Sequence, residues 1–112
     1  MQYFSTKKLI LPDGFFVSSS QVPSPKDLNK LLVTCGCEAF PLQKLSLAIQ
    51  KSNFFFTIQK KFKSKLYGFV RVTSDKGLNA NLWNLSADIG NNQNLFYSVL
   101  LQATLEKINR EM

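Results

Sequence analysis

Histidine is absent from the 112 residues. Serine–histidine triads, histidine general acid–base chemistry and histidine metal ligation are thereby excluded. Cysteine is nearly absent, with only Cys35 and Cys37 in a C-x-C pair. Two thiols in a chain without a signal peptide do not make a disulfide scaffold. Zinc would need two further soft ligands, and neither a His nor a third Cys exists to supply them. No metal site is expected. The pair reads as two small residues near a helix end in a reducing compartment, with a redox or inter-subunit metal role as the less ordinary alternative. Apolar runs are short, and none approaches the ~20 residues that cross a bilayer. The N-terminus from Met1 to Lys8 lacks the basic-then-apolar order and small-residue cleavage site of a signal peptide. The expected location is cytoplasmic, without a membrane partner.

Acidic residues are also scarce: seven Asp and Glu stand against fourteen Lys and Arg, a net charge of +7. Hydrophobic residues make up 45% and charged ones 19%, a globular mixture with room for one core. The positive charge is uneven. From Lys44 to Lys76 there are eight basic residues and one acid, Asp75, and the densest patch is Lys60, Lys61, Lys63 and Lys65. Such a patch attracts phosphates, nucleic acid or an acidic surface. The abundance of Phe, Lys, Asn and Ile also follows from AT-rich coding with no functional demand.

The chain reads as a single domain, 1–14 an N-terminal extension or extra strand and 15–112 the core. Gln2–Leu11 is a candidate short strand, weakened by Lys7 and Lys8, and Pro12-Asp13-Gly14 is a turn. Phe15–Ser19 reads as a strand. Ser24-Pro25-Lys26-Asp27 opens a helix: Ser24 can cap a first-turn N–H, Pro25 lacks a donor that would be orphaned anyway, and Asp27 complements the helix dipole. Leu28, Leu31 and Leu32 mark its apolar face, and Gly36 is its stop. A second helix starts at Pro41, with Leu42, Leu45, Ala48 and Ile49 on one face. Three strands follow, at Asn53–Gln59, Leu66–Thr73 and Ala80–Ala87. Short turns favour antiparallel pairing with Leu66–Thr73 central. Asn94–Met112 is helical, with a stripe through Tyr97, Leu101, Leu105, Ile108 and Met112. Leu95, Phe96, Val99, Leu100 and Ala103 widen that stripe beyond one face. The expected buried set is Phe55, Phe69, Val70, Val72, Leu85 and Leu101.

Element order and residues together resemble the GNAT superfamily of acyl-CoA-dependent N-acetyltransferases. The stretch Lys65-Leu-Tyr-Gly-Phe-Val-Arg-Val-Thr-Ser-Asp75 is similar to the family's central strand. Leu82-Trp-Asn-Leu-Ser-Ala-Asp88 is similar to the strand leading into its acyl-CoA loop. The resemblance covers roughly Phe15 to Met112. It implies an α+β fold with a mainly antiparallel sheet, two N-terminal helices and a C-terminal helix after the last strand.

The resemblance also implies an acyl-CoA site on Leu85, Ala87, Asn92, Gln93, Asn94, Leu95, Phe96 and Tyr97. In the family this loop reads Q/R-x-x-G-x-G/A, and its backbone N–H groups at a helix N-terminus bind the pyrophosphate. Here Asn92 falls on the motif's first position. Gln93, Leu95 and Tyr97 fall where Gly or Ala is usual, so Leu95 and Tyr97 put side chains where phosphate oxygens should pass. The family continues with a fifth strand, another helix and two more strands, and a Tyr on the later helix often protonates the departing thiolate. The 112 residues hold none of these. Glu38 is the lone carboxylate to consider near the site, and a solvated role suits it better. No catalytic residue is assigned.

The expected function is therefore a degenerate, non-catalytic acetyltransferase-like domain with no cofactor, acting through protein association. A homodimer is expected, joined at the Ala80–Ala87 edge and the final helix. The first alternative is an active acetyl-CoA-dependent N-acetyltransferase completed by dimerisation. The second is a small basic RNA- or polyanion-binding module using Lys60–Lys65 beside Phe54–Phe56, although strand aromatics more often pack in a core.

Overall fold

Residues 8–111 are described in a computed structural model. They run β1 (Phe15–Ser18), α1 (Pro25–Thr34), α2 (Leu42–Lys51), β2 (Phe54–Lys60), β3 (Leu66–Ser74), β4 (Ala80–Ala87) and α3 (Gln93–Glu111). Most of the candidate strand Gln2–Leu11 lies outside these residues, and its described part, 8–11, is not in a strand.

Helix α1 is set by its ends. The Asp27 N–H donates to Ser24 Oγ at 3.1 Å, and Pro25 occupies the first turn. At the other end Gly36 adopts φ +92. The Gly36 N–H then donates to the Val33 carbonyl and the Cys37 N–H to the Leu32 carbonyl, each at 3.0 Å. This left-handed closure satisfies carbonyls that the helix leaves open. Leu28, Leu31 and Leu32 are buried as the spacing predicts.

The strands form one antiparallel sheet in chain order, β1-β2-β3-β4, with β2 and β3 central. Gly68 on β3 pairs with Ile58 on β2. A Cβ at Gly68 would lie 3.1 Å from Ile58 Cβ and Cδ1, so the buried isoleucine occupies the space a side chain would need. Among the described residues β4 pairs on one side only.

Two cores form, one on each sheet face. On the first, α1 and α2 pack Leu28, Leu31, Leu32, Leu45 and Ile49 against Leu66 and Phe69, with Phe55 partly covered. On the second, α3 packs Phe96, Val99 and Leu100 against Phe56, Ile58, Val70 and Ala87. Full burial of one such leucine or phenylalanine contributes about 1.5–3 kcal/mol. Of the expected core, Phe69, Val70 and Val72 are buried, while Phe55 and Leu85 are half-buried.

Leu101 is a correction: it is 38% exposed, as is Leu105. The inward face of α3 is Phe96, Val99, Leu100 and Thr104, so the helix is rotated relative to the stripe through Tyr97, Leu101 and Leu105. No helix among the described residues is long and apolar enough to cross a membrane.

Candidate functional site

The register of β3 against β4 slips once. Phe69 pairs with Ser86 and Arg71 with Trp83, so Asn84 and Leu85 together oppose Val70. This is a β-bulge, and Asn84 within it adopts φ +58. A bulge re-aims side chains and is frequent beside functional sites. Here Arg71 Nε donates to Asn84 Oδ1 at 2.8 Å. Arg71 Nη1 reaches Ser52 Oγ, at the C-cap of α2, at 3.5 Å. The guanidinium lies over the Trp83 ring, 5.6 Å from its centre, and Trp83 Nε1 donates to Thr73 Oγ1 at 2.9 Å. Desolvation by burial pushes the Arg71 pKa below its usual value. A cleft of about 90 Å³ opens beside it, lined by Phe40, Lys44, Leu45, Ala48, Arg71 and Asn84.

Downstream, β4 runs into α3 through residues 88–92. The Asp88 N–H donates to the Tyr67 carbonyl at 2.9 Å, and Asp88 Oδ1 pairs with Lys65 Nζ at 3.0 Å. At the end of β4 the Ala87 carbonyl accepts two side-chain bonds. One is from Cys35 Sγ at 3.2 Å and the other from Gln93 Nε2 at 3.1 Å. Tyr97 stands beside the same groups. Burial, then the neighbouring Cys35, raises its phenol above the ordinary range. The first bonds of α3 are Gln93 N–H to the Gly90 carbonyl at 3.2 Å and Phe96 N–H to the Asn92 carbonyl at 2.9 Å. The N–H groups of Asn94 and Leu95 have no partner among the described residues.

The expected site residues thus divide. Gln93, Tyr97 and Ala87 converge at one carbonyl, and sequence reading missed that Cys35 joins them. The only signal available was Gly36, which fixes Cys35 at the end of α1. Phe96 belongs to the core, 5.1 Å from Phe15 ring to ring, and Leu85 and Leu95 pack against the same cluster. Asn92 is half-buried, Asn94 is exposed, and Glu38 and Cys37 are exposed.

The basic patch spans the β2–β3 hairpin. Lys60 lies over Phe15 and Lys65 over Tyr67, each 5.0 Å from the ring centre. Phe56 is buried and Phe54 packs edge-on against it, so these rings are not stacking surface. Phe62 at the hairpin tip is fully exposed. A second cleft, of about 930 Å³, lies between α1 and the start of β3, lined in part by Lys26, Lys30, Lys65 and Asp88.

The fold is GNAT-like. A probable acetyltransferase of unknown function from meticillin-resistant Staphylococcus aureus superposes with a TM-score of 0.77 at 16% identity, over 87% of this chain and 71% of that one. Among curated proteins the chain is 36% identical to the uncharacterized N-acetyltransferase ycf52 of Pyropia yezoensis and 31% identical to that of Porphyra purpurea. Each match covers 70% of this chain and 52% of the relative. The chain thus spans about half the length of the curated relatives it matches. No protein-family profile matches it.

Proposed function

We propose that this GNAT-like chain, similar to proteins named N-acetyltransferase, is a degenerate domain that does not hold acetyl-CoA at its β4–α3 turn and works through protein association. The observation that carries the reading is the crowded exit of β4. A pyrophosphate needs bare backbone N–H groups at the helix N-terminus. The N–H groups of Asn94 and Leu95 are unbonded among the described residues, but their approach is flanked by side chains the family lacks. Gln93 folds back onto the Ala87 carbonyl, and Tyr97 stands beside Cys35 at the same place. Leu95 fills a third position where glycine is usual. The residues present therefore do not fit the group in the family's manner, and no acyl-transfer step is derived.

Association is supported by the outer edge of β4, which is unpaired among the described residues. Leu82, 37% exposed, lies opposite Val72, and Trp83 is 47% exposed. The bulge at Asn84 interrupts the edge, leaving Ala80–Trp83 as its regular part. No Lys or Pro blunts that stretch. Leu101 and Leu105 add exposed apolar surface on α3. A second copy pairing edge to edge would cover these groups across a two-fold axis. An interface of more than about 1,000 Å² is expected.

Two measurements test the reading. Acetyl-CoA at millimolar concentration should leave the melting temperature unchanged, whereas a ligand at 100 times its dissociation constant adds about 2.7 kcal/mol. A clear upward shift would favour the active alternative. Light scattering at tens of micromolar should give the mass of a dimer, and a monomer there would remove the association half of the proposal.

A further inference from the structure

We propose that the cleft between the β4 bulge and α2 is a binding site for a small oxyanion, a carboxylate or phosphate group, gripped by Arg71 and Lys44. The inference is independent of acetyl-CoA and of the dimer. It starts from an imbalance of charge. Arg71 is half-buried, yet its hydrogen-bond partners are neutral: the amide oxygen of Asn84 and the hydroxyl of Ser52. Among the described residues no carboxylate forms an ion pair with it. Its Nη2 donates to nothing among those residues. A partly desolvated guanidinium with open donors is the group proteins use to bind carboxylate and phosphate in a fork.

The surroundings reinforce this. Lys44 lines the same cleft and forms no ion pair among the described residues, so a second positive charge faces the space uncompensated. Phe40, Leu45 and Ala48 make the remaining wall apolar, which lowers the local dielectric and strengthens the attraction. The volume of about 90 Å³ suits an acid group rather than a nucleotide.

Two features hold the guanidinium in place. Trp83 stacks beneath it. Asn84, in the uncommon left-handed conformation, turns its amide oxygen onto Nε. Backbone held in that region is a stored cost that persists at binding sites. In the larger cleft by α1, by contrast, Asp27 and Asp88 line the space together with Lys26, Lys30 and Lys65, and Lys65 is paired with Asp88.

The test uses the purified chain and nitrogen–proton NMR, following the Trp83 indole and Asn84 side-chain signals. Sodium acetate and sodium phosphate are titrated at constant ionic strength, with sodium chloride as the control. Saturable shifts of these signals are expected for acetate, phosphate or both, and the tighter of the two identifies the source chemistry. Arg71→Gln should weaken binding at least about tenfold, the loss expected for a charge-assisted pair. The Lys44 side chain is exposed and makes no hydrogen bond among the described residues, so Lys44→Gln keeps the fold intact and should weaken binding about threefold. Lys61→Gln, on the distant hairpin, should change nothing. Absence of saturation with both anions overturns the proposal. So do equal shifts with chloride, or unchanged affinity in Lys44→Gln and in a folded Arg71→Gln.

Discussion

The rotation of α3 can be tested by one pair of charges placed two residues apart. Val99 is 7% exposed and Leu101 is 38% exposed, although both belong to the apolar half of the helix. Val99→Asp removes the burial of a valine, about 1.5–3 kcal/mol. It also places a carboxylate among Phe56, Val70 and Leu100. An unpaired buried acid adds several kcal/mol more, even if it protonates. The sum is comparable with the whole stability of a typical domain, about 5–15 kcal/mol. At this chain length 1 kcal/mol moves the melting temperature by about 4 °C. Val99→Asp should therefore melt at least about 15 °C below the parent or fail to fold. Leu101→Asp, with its side chain only partly covered, loses about 1–2 kcal/mol and should stay within about 8 °C of the parent. Circular-dichroism melts measure the first effect. The same melts measure the second effect, and in light scattering Leu101→Asp and Leu105→Asp should shift the proposed dimer toward monomer while remaining folded. A Val99→Asp protein that melts with the parent would refute the placement of the helix.

The triple change Gln93→Gly, Leu95→Gly and Tyr97→Gly should restore weak, saturable acetyl-CoA binding by calorimetry, at a cost of about 1 kcal/mol of stability per helical glycine plus the lost packing of Leu95 and Tyr97 against the α3 core. Thr104 is buried, and its hydroxyl has no hydrogen-bond partner among the described residues. Thr104→Val keeps the shape, removes that burden and should raise the melting temperature by about 4 °C. Asp75 is held below the usual carboxylate range, chiefly by the Asn79 and Gly77 N–H groups, in the β3–β4 turn. A depressed folded pKa contributes order above the unfolded value of about 3.9 and loses it as pH falls through the folded value. Amide exchange at Gly77–Asn79 should thus accelerate, relative to the rest of the sheet, as pH falls below the ordinary carboxylate range, and Asp75→Asn should abolish that pH dependence.

The parts legible in the sequence are those written in local chemistry. Ser24, Pro25 and Asp27 announce the start of α1 and Gly36 its end, because caps depend on a few adjacent residues. The start of β4 follows from the Ser74-Asp75-Lys76-Gly77 turn signal before it. The rotation of α3 was not legible. From Leu95 to Leu105 apolar residues occupy so many positions that periodicity does not choose between neighbouring faces, and packing on the sheet decides. The bulge at Asn84 has no local signature either, since it arises from the register of two strands. For the same reason the meeting of Cys35, Gln93 and Ala87, and of Arg71 with Asn84 and Trp83, becomes visible only once the strands are paired.

Because the sheet order follows the chain order, three of its strands can assemble by successive hairpin closures. β2 with β3 and β3 with β4 close short loops, which are fast events. β1 alone must wait. It joins β2 only after both helices have been threaded between them, and that longer closure carries the larger entropic barrier. A transition state built on the β2–β3–β4 meander follows, with β1 docking late. Truncating Val17 should then accelerate unfolding and leave the refolding rate nearly unchanged, whereas truncating Val70 should slow refolding.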